Sequence, residues 1–302
     1  TPVFNSNTTG YAMSVANTVN SIIITPTANE SHAVIKVNNA VVTSGNPSSA
    51  INLNVGNNTI ATEITAQDGA TVKTYTITVN RDKFTPSITF ADINKTYGDA
   101  DFDPLATSNN ANTNISYTSS NTAVATIIGG NIHIVGAGTA NITASQAADA
   151  TDYVAADVTK TLTIGKKSLI LTLNGTPAIT KVYDGNTAAT LLSGNYTLNG
   201  VVGSDQVSVS GTPVYNNANA DNAKTVTAGD FVLAGAKQAN YTLTTTSATT
   251  TGSIGARPVI VTADAQSKTY GDADPAFVYA FTPALVTGDT FNGSLTRDSG
   301  ED

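Results

Sequence analysis

Lys95-Thr96-Tyr97-Gly98-Asp99-Ala100-Asp101 is a heptapeptide that the sequence repeats without change at residues 268–274. A looser copy, Lys181-Val182-Tyr183-Asp184-Gly185, falls between the two. The leading lysines of the three copies are separated by 86 and 87 residues, which is about the length of a small β-sandwich domain. A fixed period of this kind indicates a tandem array. Each copy follows a short alternating apolar run, so each is expected to mark the same early turn in successive domains.

The composition favours strands and turns over helices. Charged residues make up 12% of the chain, against roughly 25% in a typical globular protein. Thr and Val favour strands, Asn and Gly favour turns, and no segment shows sustained helical periodicity. The 302 residues fit three to four modules of about 80 to 100 residues each. The sequence therefore predicts an all-β fold.

Charge and cysteine content exclude several classes of protein. The formal net charge is −8, and the longest basic cluster is Lys166-Lys167, so the chain lacks the electrostatic footprint of a nucleic-acid-binding protein. The absence of Cys excludes disulfides and thiolate metal sites. No apolar run of about 18 or more residues occurs, so the sequence predicts no insertion into a membrane.

The first 82 residues carry four segments that identify a domain type: residues 38–40, 53–60, 66–69 and the closing strand 75–81. With these segments the region resembles the bacterial cadherin-like β-sandwich family, which implies a domain over residues 1–82. That family usually has one more strand before its Pro-x-Phe segment, whereas this sequence starts at Thr1-Pro2-Val3-Phe4. We therefore expect the first domain to lack its leading strand.

Residues 83–165 contain a Ser-Ser-Asn-x-x-Val-Ala run at 119–125 and a Gly-x-Gly-Thr-Ala-x-Ile run at 136–142. This pair of runs is similar to the group 2 bacterial immunoglobulin-like domains, which are common in surface adhesins and intimins. We expect Val124 and Ile127 to face the core beside Ile142, and Gly136 and Gly138 to form a turn that side chains would block.

Two further domain types are expected after residue 165. Residues 166–255, with the Tyr183-Asp184-Gly185 signature and the turn segment 203–205, resemble the small domain named for Tyr-Asp-Gly. Residues 256–302, with the second heptapeptide and Gly288-Asp289, look like the adhesin repeat of the Tyr-Gly-x type, which is grouped with mucus-binding proteins. That repeat normally continues beyond the Gly300-Glu301 pair, so we expect both termini of the sequence to fall within domains.

Alternating aspartates make the heptapeptides candidate metal sites. Asp99, Asp101 and Asp103 alternate, and Asp272 and Asp274 repeat the first half of this pattern. Such carboxylates offer the oxygen ligands that Ca²⁺ prefers, although roughly six to eight ligands are needed and the EF-hand pattern is absent. The alternative is an acidic turn in which the aspartates accept backbone N–H bonds. Calcium is the one cofactor that the sequence leaves open.

The tyrosines and lysines of the three copies have two interpretations each. An exposed ring at Tyr97, Tyr183 or Tyr270 would stack on a sugar, whereas a ring that recurs at one position more often closes the end of a sandwich with its hydroxyl bonded to backbone. The preceding lysines either pair with the acidic turn or remain solvated, since an exposed ion pair contributes only about 0–1 kcal/mol.

The residues do not form a recognisable catalytic set. His32 and His133 are the only histidines, they fall in different predicted domains, and His133 alternates within an apolar strand without a nucleophile motif nearby. Gly136-Ala137-Gly138 is followed by a strand and not by the helix that a phosphate-binding loop requires. We therefore expect no enzymatic activity.

Together the resemblances imply a segment of a large bacterial cell-surface or secreted adhesin, with four β-sandwich modules joined in an elongated array. Short linkers, the last containing Pro258, leave little slack, so the expected role is a stalk that presents a distal binding region. Two alternatives remain: a module that binds glycans or mucin directly, and an accessory region of a secreted carbohydrate-active enzyme. The export signal would lie outside this sequence.

The expected partners follow from these roles. They are host or environmental glycans, mucin or other cell-surface proteins, and not nucleic acid. A sheet edge left open by the missing first strand would also accept a strand from a neighbouring chain.

Overall fold

A computed structural model describes residues 2–300 of the chain. These residues form 24 β-strands and two single-turn 3₁₀-helices, and no α-helix occurs among them. The all-β prediction is therefore confirmed. The chain divides into two compact units, the first comprising residues 1–95 and 99–164 and the second comprising residues 96–98 and 165–302.

The first half of the first unit contains seven strands: β1 (Gly10–Val15), β2 (Ser21–Ile22), β3 (Val34–Val37), β4 (Ala40–Val42), β5 (Ile51–Asn52), β6 (Gly56–Thr65) and β7 (Val72–Arg81). Five of them form one sheet in the order β1-β7-β6-β3-β4, while β2 pairs with β5. β1 runs parallel to β7, and the other pairs are antiparallel.

One apolar cluster forms the core of this half. It consists of the buried residues Val37, Val42, Leu53, Ile60 and Val79. Ile60 and Val79 are 1% and 0% exposed, and buried positions recur at every second residue in the middle of β6. The alternating pattern in the sequence thus places one face of the sheet against the core.

The second half of the first unit contains β8 (Ile88–Thr89), β9 (Ile93–Thr96), β10 (Thr107–Ser108), β11 (Ile115–Ser119), β12 (Ala125–Ile128), β13 (Asn131–Ile134), β14 (Gly138–Gln146) and β15 (Val158–Gly165). The main sheet has the order β11-β14-β15-β9, and β8 with β10 and β12 with β13 form two-stranded pairs.

The predicted core of this half is largely confirmed. Val124 and Ile142 are buried, whereas Ile127 is only half-buried on the short strand β12. Gly138 has a φ of +142°, and a Cβ atom there would lie 3.0 Å from Val124 Cγ2. A side chain at this turn would therefore press on the core, as expected.

The second unit contains β16 (Lys167–Leu173), β17 (Thr180–Val182), β18 (Tyr196–Asn199), β19 (Ser208–Tyr215), β20 (Asp221–Ala234), β21 (Tyr241–Leu243), β22 (Ser247–Gly255), β23 (Ile260–Ala263) and β24 (Tyr279–Thr282). The sheets have the orders β18-β16-β21, β17-β22-β20-β19 and β23-β24. The two 3₁₀ turns are Ser193–Asn195 and Gln238–Asn240. A core cluster of the second unit consists of the buried residues Ile179, Tyr215, Val226 and Ile254.

Some expectations remain predictions. The domain boundaries given above are among them. The expectation that both termini fall within domains is another, because Thr1, Glu301 and Asp302 lie outside the described residues. Over residues 2–300, no helix has the length and apolar character needed to cross a membrane.

Candidate functional site

Tyr97, the third residue of the first heptapeptide, packs within the second unit. Its side chain is 6% exposed, and its hydroxyl donates a 2.9 Å hydrogen bond to Asp205 Oδ2. The Tyr241 ring meets it edge-on, with ring centroids 5.5 Å apart, and the Tyr241 hydroxyl donates to the same oxygen at 2.5 Å. One carboxylate thus accepts hydrogen bonds from two packed phenols.

Tyr183, in the looser copy, makes the same kind of contact further along the chain. Its hydroxyl donates a 2.9 Å hydrogen bond to Asp289 Oδ1. The ring is half-buried, and no second phenol is recorded on this carboxylate among residues 2–300. Tyr183 and Asp289 are 106 residues apart in the sequence, and Tyr97 and Asp205 are 108 residues apart.

Both acceptor aspartates end a four-residue turn that begins with valine. In the turn Val202-Gly203-Ser204-Asp205, the Asp205 N–H donates to the Val202 carbonyl at 3.1 Å. In the turn Val286-Thr287-Gly288-Asp289, the equivalent bond is 2.9 Å long. The i to i+3 bond of a β-turn therefore fixes the valine and the aspartate of each Val-x-x-Asp turn next to each other.

A glycine faces the valine of the turn in both copies, one residue after Tyr97 and two residues after Tyr183. Gly98 has a φ of +88°, and a Cβ atom there would lie 2.6 Å from Val202 Cγ2. Gly185 has a φ of +78°, and a Cβ atom there would lie 2.5 Å from Val286 Cγ1. Both positions therefore need glycine for its backbone conformation and for the close approach of the valine.

The backbone of each tyrosine is tied to the end of a long strand. The Tyr97 N–H donates to the carbonyl of Gly165, the last residue of β15, at 2.9 Å. The Tyr183 N–H donates to the carbonyl of Gly255, the last residue of β22, at 2.8 Å. We use the name tyrosine–aspartate joint for the tyrosine, the glycine one or two residues after it, and the Val-x-x-Asp turn that both contact.

The joints raise the pKa of their phenols. Burial, followed by the hydrogen bond to Asp205, raises the pKa of Tyr241 to about 12 and raises the pKa of Tyr97. At Tyr183 the hydrogen bond to Asp289 is the main cause of the raised pKa. A phenolate beside a carboxylate would lose the hydrogen bond and add like-charge repulsion, so the joints keep these tyrosines neutral.

Tyr270, in the exact second copy of the heptapeptide, has a different environment. Its side chain is 83% exposed. Gly271 keeps a positive φ of +85°, but the space where its Cβ would lie is open, with no atom of residues 2–300 within 4 Å. The predicted packed ring is therefore wrong for Tyr270, and the predicted hydroxyl-to-backbone bond is wrong for Tyr97 and Tyr183, which bond to carboxylates instead.

The lysines before the tyrosines mostly pair with the acidic turns. Lys181 Nζ lies 2.6 Å from Asp184 Oδ1 and donates to the Asn186 carbonyl at 2.7 Å. Lys268 Nζ lies 2.9 Å from Asp274 Oδ1, whereas Lys95 Nζ lies 4.8 Å from the centroid of the Phe102 ring. The lysine helps to hold the turn in two of the three copies.

The aspartates proposed as calcium ligands lie in separate environments. Asp101 Oδ1 is 2.8 Å from His133 Nδ1, and Asp103 accepts the Leu105 N–H at 2.7 Å. Asp274 pairs with Lys268 and with Arg297. The other two, Asp99 and Asp272, are exposed.

No group of three His, Asp or Glu side chains placed to hold a metal ion occurs within residues 2–300. The calcium site stays an untested prediction.

Sequence reasoning noted the turns at residues 203–205 and 288–289 but did not connect them to the tyrosines. A signal was present, because the aspartate of each Val-x-x-Asp segment follows its tyrosine by nearly the same distance, 108 and 106 residues. Tyr241, the second phenol on Asp205, lies in the segment 240–243 that also marks the Tyr-Asp-Gly domain, but its bond to Asp205 has no counterpart in the repeat and was not predicted.

The first unit has an apolar groove of about 630 Å³. Phe4 lies at its edge, 64% exposed, with its ring centroid 5.9 Å from that of Tyr11 and 5.4 Å from that of Tyr75. Ile22, Ile24 and other apolar side chains line the rest of the groove. Its size is within the range of small-ligand sites.

Three family models match the chain, one after another. A cadherin-like beta sandwich domain matches residues 1–82, a YDG domain matches residues 166–250, and an MBG domain of the YGX type matches residues 259–302. None of these three matches covers residues 83–165, whose immunoglobulin-like assignment stays a prediction. A cadherin-like sandwich with an MBG domain is the domain content of a surface-associated, adhesion-related protein.

One sequence relative and two solved structures illustrate the likeness. A protein of Evansella cellulosilytica with the provisional name of membrane protein is 42% identical over 81 residues, which are 27% of this chain and 12% of that protein. Drosophila N-cadherin EC1-3 aligns with 82% of this chain and 98% of its own at 6% identity, with a TM-score of 0.34. An I-band fragment of titin aligns with 83% of this chain and 96% of its own at 10% identity, with a TM-score of 0.30.

The sequence relative shares only a small part of its length with this chain. The domain assignments therefore rest on the three matched segments and on the strands found in each of them. The chain is a tandem multi-domain β-protein that carries a cadherin-like β-sandwich domain, a YDG domain and an MBG domain of the YGX type.

Proposed function

We propose that this chain is a non-catalytic stalk segment of a large bacterial cell-surface or secreted adhesin, which holds a distal binding region away from its anchor. The tandem domain content supports this role. The observation that carries the proposal is the repeated tyrosine–aspartate joint, in which a residue of one repeat is bonded to a turn about a hundred residues later.

The joint is suited to stiffening a tandem array. A hydrogen bond to a charged acceptor contributes about 1.5–3 kcal/mol when it is shielded from water, and less when it is exposed. The glycine–valine contact adds close packing at the same point. Because the tyrosine N–H is also bonded to the residue that ends β22, Tyr183 links the end of one sheet to the Val286–Asp289 turn.

The two histidines bear on the proposed lack of catalytic activity. His133 pairs with Asp101 and His32 pairs with Glu30; His32 is exposed and His133 is half-buried. The Ser31 hydroxyl lies 3.3 Å from His32 Nδ1, but Glu30 contacts the same nitrogen, whereas a triad hydrolase has its nucleophile and its carboxylate on different nitrogens of the ring. On this proposal the chain has no catalytic activity and lies at the bacterial cell surface or outside the cell. Glycans, mucin or surface proteins then bind to another part of the parent protein.

A distance measurement within the second unit tests the stalk role. The chain has no Cys, so spin labels can be attached through Thr197→Cys on β18 and Thr262→Cys on β23, both exposed. We expect a narrow distance distribution that broadens when Tyr183→Ala removes the joint. The control is Tyr153→Ala, at an exposed tyrosine outside the joints. A broad distribution in the unaltered chain would exclude a stiff stalk.

The apolar groove of the first unit favours a second candidate function, direct binding of glycans or mucin. Aromatic rings around a concavity are the usual platform for sugar rings, and the exposed Phe4 ring packs here beside the half-buried Tyr11 and the buried Tyr75. Binding to immobilised mucin that is lost in Phe4→Ala would support this function. Equal binding by Phe4→Ala and the unaltered chain would reject the groove as the site.

A further inference from the structure

We propose that Tyr270 and Gly271 form the open half of a third tyrosine–aspartate joint, which takes the Val-x-x-Asp turn of a further domain that follows in tandem. This inference rests on the proposed stalk function, because it extends the same joint to one more contact. It assigns an interaction surface to an exposed part of the second unit, and it identifies the partner by the chemistry of its turn.

The first line of support is the identity of the two heptapeptides. Residues 95–101 and 268–274 have the same sequence, and their glycines have nearly the same φ, +88° and +85°. Tyr97 is nevertheless 6% exposed and Tyr270 83% exposed. The glycine conformation found beside the Val-x-x-Asp turn is therefore already present next to Tyr270, with the Tyr270 ring in solvent.

The second line of support is that the surrounding loop is held in place. Asp274 lies 2.9 Å from Lys268 Nζ and 2.9 Å from Arg297 Nε, and Arg297 Nη2 donates to its second oxygen at 3.0 Å. These contacts surround a cavity of about 360 Å³ beside Tyr270, which is also lined by Pro275 and Phe277. A pre-ordered surface loses little entropy when a partner binds.

The occupied joints specify the partner. The hydroxyl of the tyrosine needs a carboxylate acceptor, which Asp289 supplies for Tyr183. The open space over the glycine needs branched methyl groups, which Val286 supplies over Gly185. The two observed separations are 108 and 106 residues. We therefore place the partner turn roughly the same distance beyond Tyr270, within a domain of the same β-type.

The experiment tethers a turn to the full chain and observes the Tyr270 ring. A flexible Gly/Ser linker after Asp302 carries a copy of residues 284–292, closed into a loop by two flanking cysteines, because a short tether gives roughly millimolar effective concentration. Tyrosine rings are ¹³C-labelled, and the Tyr270 signal is assigned with Tyr270→Phe. Its broadening by a soluble nitroxide then reports how exposed the ring is.

We expect the tethered turn to reduce the nitroxide broadening of Tyr270 at least about twofold, provided that the loop is bound for half of the time or more. The matched control replaces the aspartate of the loop with asparagine and its valine with alanine, and it should leave Tyr270 as exposed as before. Equal broadening with both loops counts against the inference.

A second arm covers a loop that fails to adopt the turn. Unlabelled full-length Tyr183→Ala leaves its native Val286–Asp289 turn without a tyrosine, and it is added to the labelled chain. Protection of Tyr270 that disappears when Asp289→Asn is added supports the inference. Failure in both arms overturns it.

The same spectra separate this inference from the stalk proposal. The Tyr97 and Tyr183 rings should resist the nitroxide in every labelled sample, because their joints are occupied. If Tyr270 stays exposed while these two rings are protected, the open half-joint is rejected and the stalk stands. If Tyr183 is also fully accessible, the joint itself, and with it the stalk proposal, fails.

Discussion

The hydroxyl of Tyr183 donates a 2.9 Å hydrogen bond to Asp289, 106 residues further along the chain. Tyr97 and Asp205 repeat this relationship at a separation of 108 residues. Recurrence of the tyrosine, the glycine, the valine and the aspartate in both places indicates one device used twice. The following predictions test the parts of that device separately.

Removing the Tyr97 hydroxyl should weaken the first joint. We expect Tyr97→Phe to lower the free energy of unfolding by about 1–2 kcal/mol, because Asp205 loses one donor but keeps the Tyr241 hydroxyl. Chemical denaturation of Tyr97→Phe, Asp205→Asn and the double variant gives the coupling energy. Strictly additive effects of the two changes would show that the hydrogen bond contributes nothing.

Placing a methyl group at the joint glycine should be more costly than the same change at the open copy. Gly98→Ala should lose stability for two reasons. An alanine at a positive φ costs about 1–2 kcal/mol, and crowding of its methyl group against the Val202 side chain costs about 1–3 kcal/mol. Gly271→Ala has the same backbone conformation but open space, so it serves as the matched control. Equal losses of stability in the two variants would contradict the packing role of Val202.

Alkaline pH should loosen the first joint. The folded chain holds the phenolic protons of Tyr97 and Tyr241 more tightly than the unfolded chain, whose tyrosines titrate near pH 10. The resulting stability is fully present below about pH 10 and is lost as the pH rises through the Tyr241 pKa of about 12.

Absorbance of ionised tyrosine measures this titration directly. Asp205→Asn should move the Tyr241 pKa down but keep it above the ordinary value, since burial is the larger cause. An unchanged titration curve in Asp205→Asn would show that the carboxylate does not act on these phenols.

Asp274 should titrate at an unusually low pH. The side chain of Arg297 and then that of Lys268 hold the pKa of Asp274 at about 2. The stability that these ion pairs contribute is therefore fully present above the ordinary pKa of about 4, and it is lost as the pH falls through about 2. Carboxyl NMR should show the pKa move back toward its ordinary value in Arg297→Gln. An Asp274 pKa near 4 in the unaltered chain would rule out the ion pairs.

Calcium should leave the thermal stability unchanged. Asp274 is neutralised by two cations and Asp101 pairs with His133, so a metal ion would have to displace an existing partner at each of these carboxylates. A melt in Ca²⁺ and in EDTA tests this, because a ligand at about 100 times its dissociation constant adds about 2.7 kcal/mol to the folded state. A clear shift that Asp101→Asn or Asp274→Asn removes would instead establish the calcium site.

Much of the fold could be predicted from local patterns. Alternating apolar residues predicted the strands around Met13 and Ile77, and the runs at 119–127 and 136–144 predicted the burial of Val124 and Ile142, which the structure confirms. These predictions succeed because strand burial depends on a period of two within one short segment. Ile127 is less buried than expected, since its strand ends after four residues.

The sequence by itself determined the repeat, the β-fold and the positions at which a tyrosine and a flexible glycine recur. Only the tertiary structure decided what those positions do. Tyr97 and Tyr270 lie in identical heptapeptides, yet one is buried and the other exposed, because the groups that cover Tyr97 come from Val202, Asp205 and Tyr241, more than a hundred residues away. The burial of this tyrosine depends on the partner that the fold brings to it, and the heptapeptide does not contain that information.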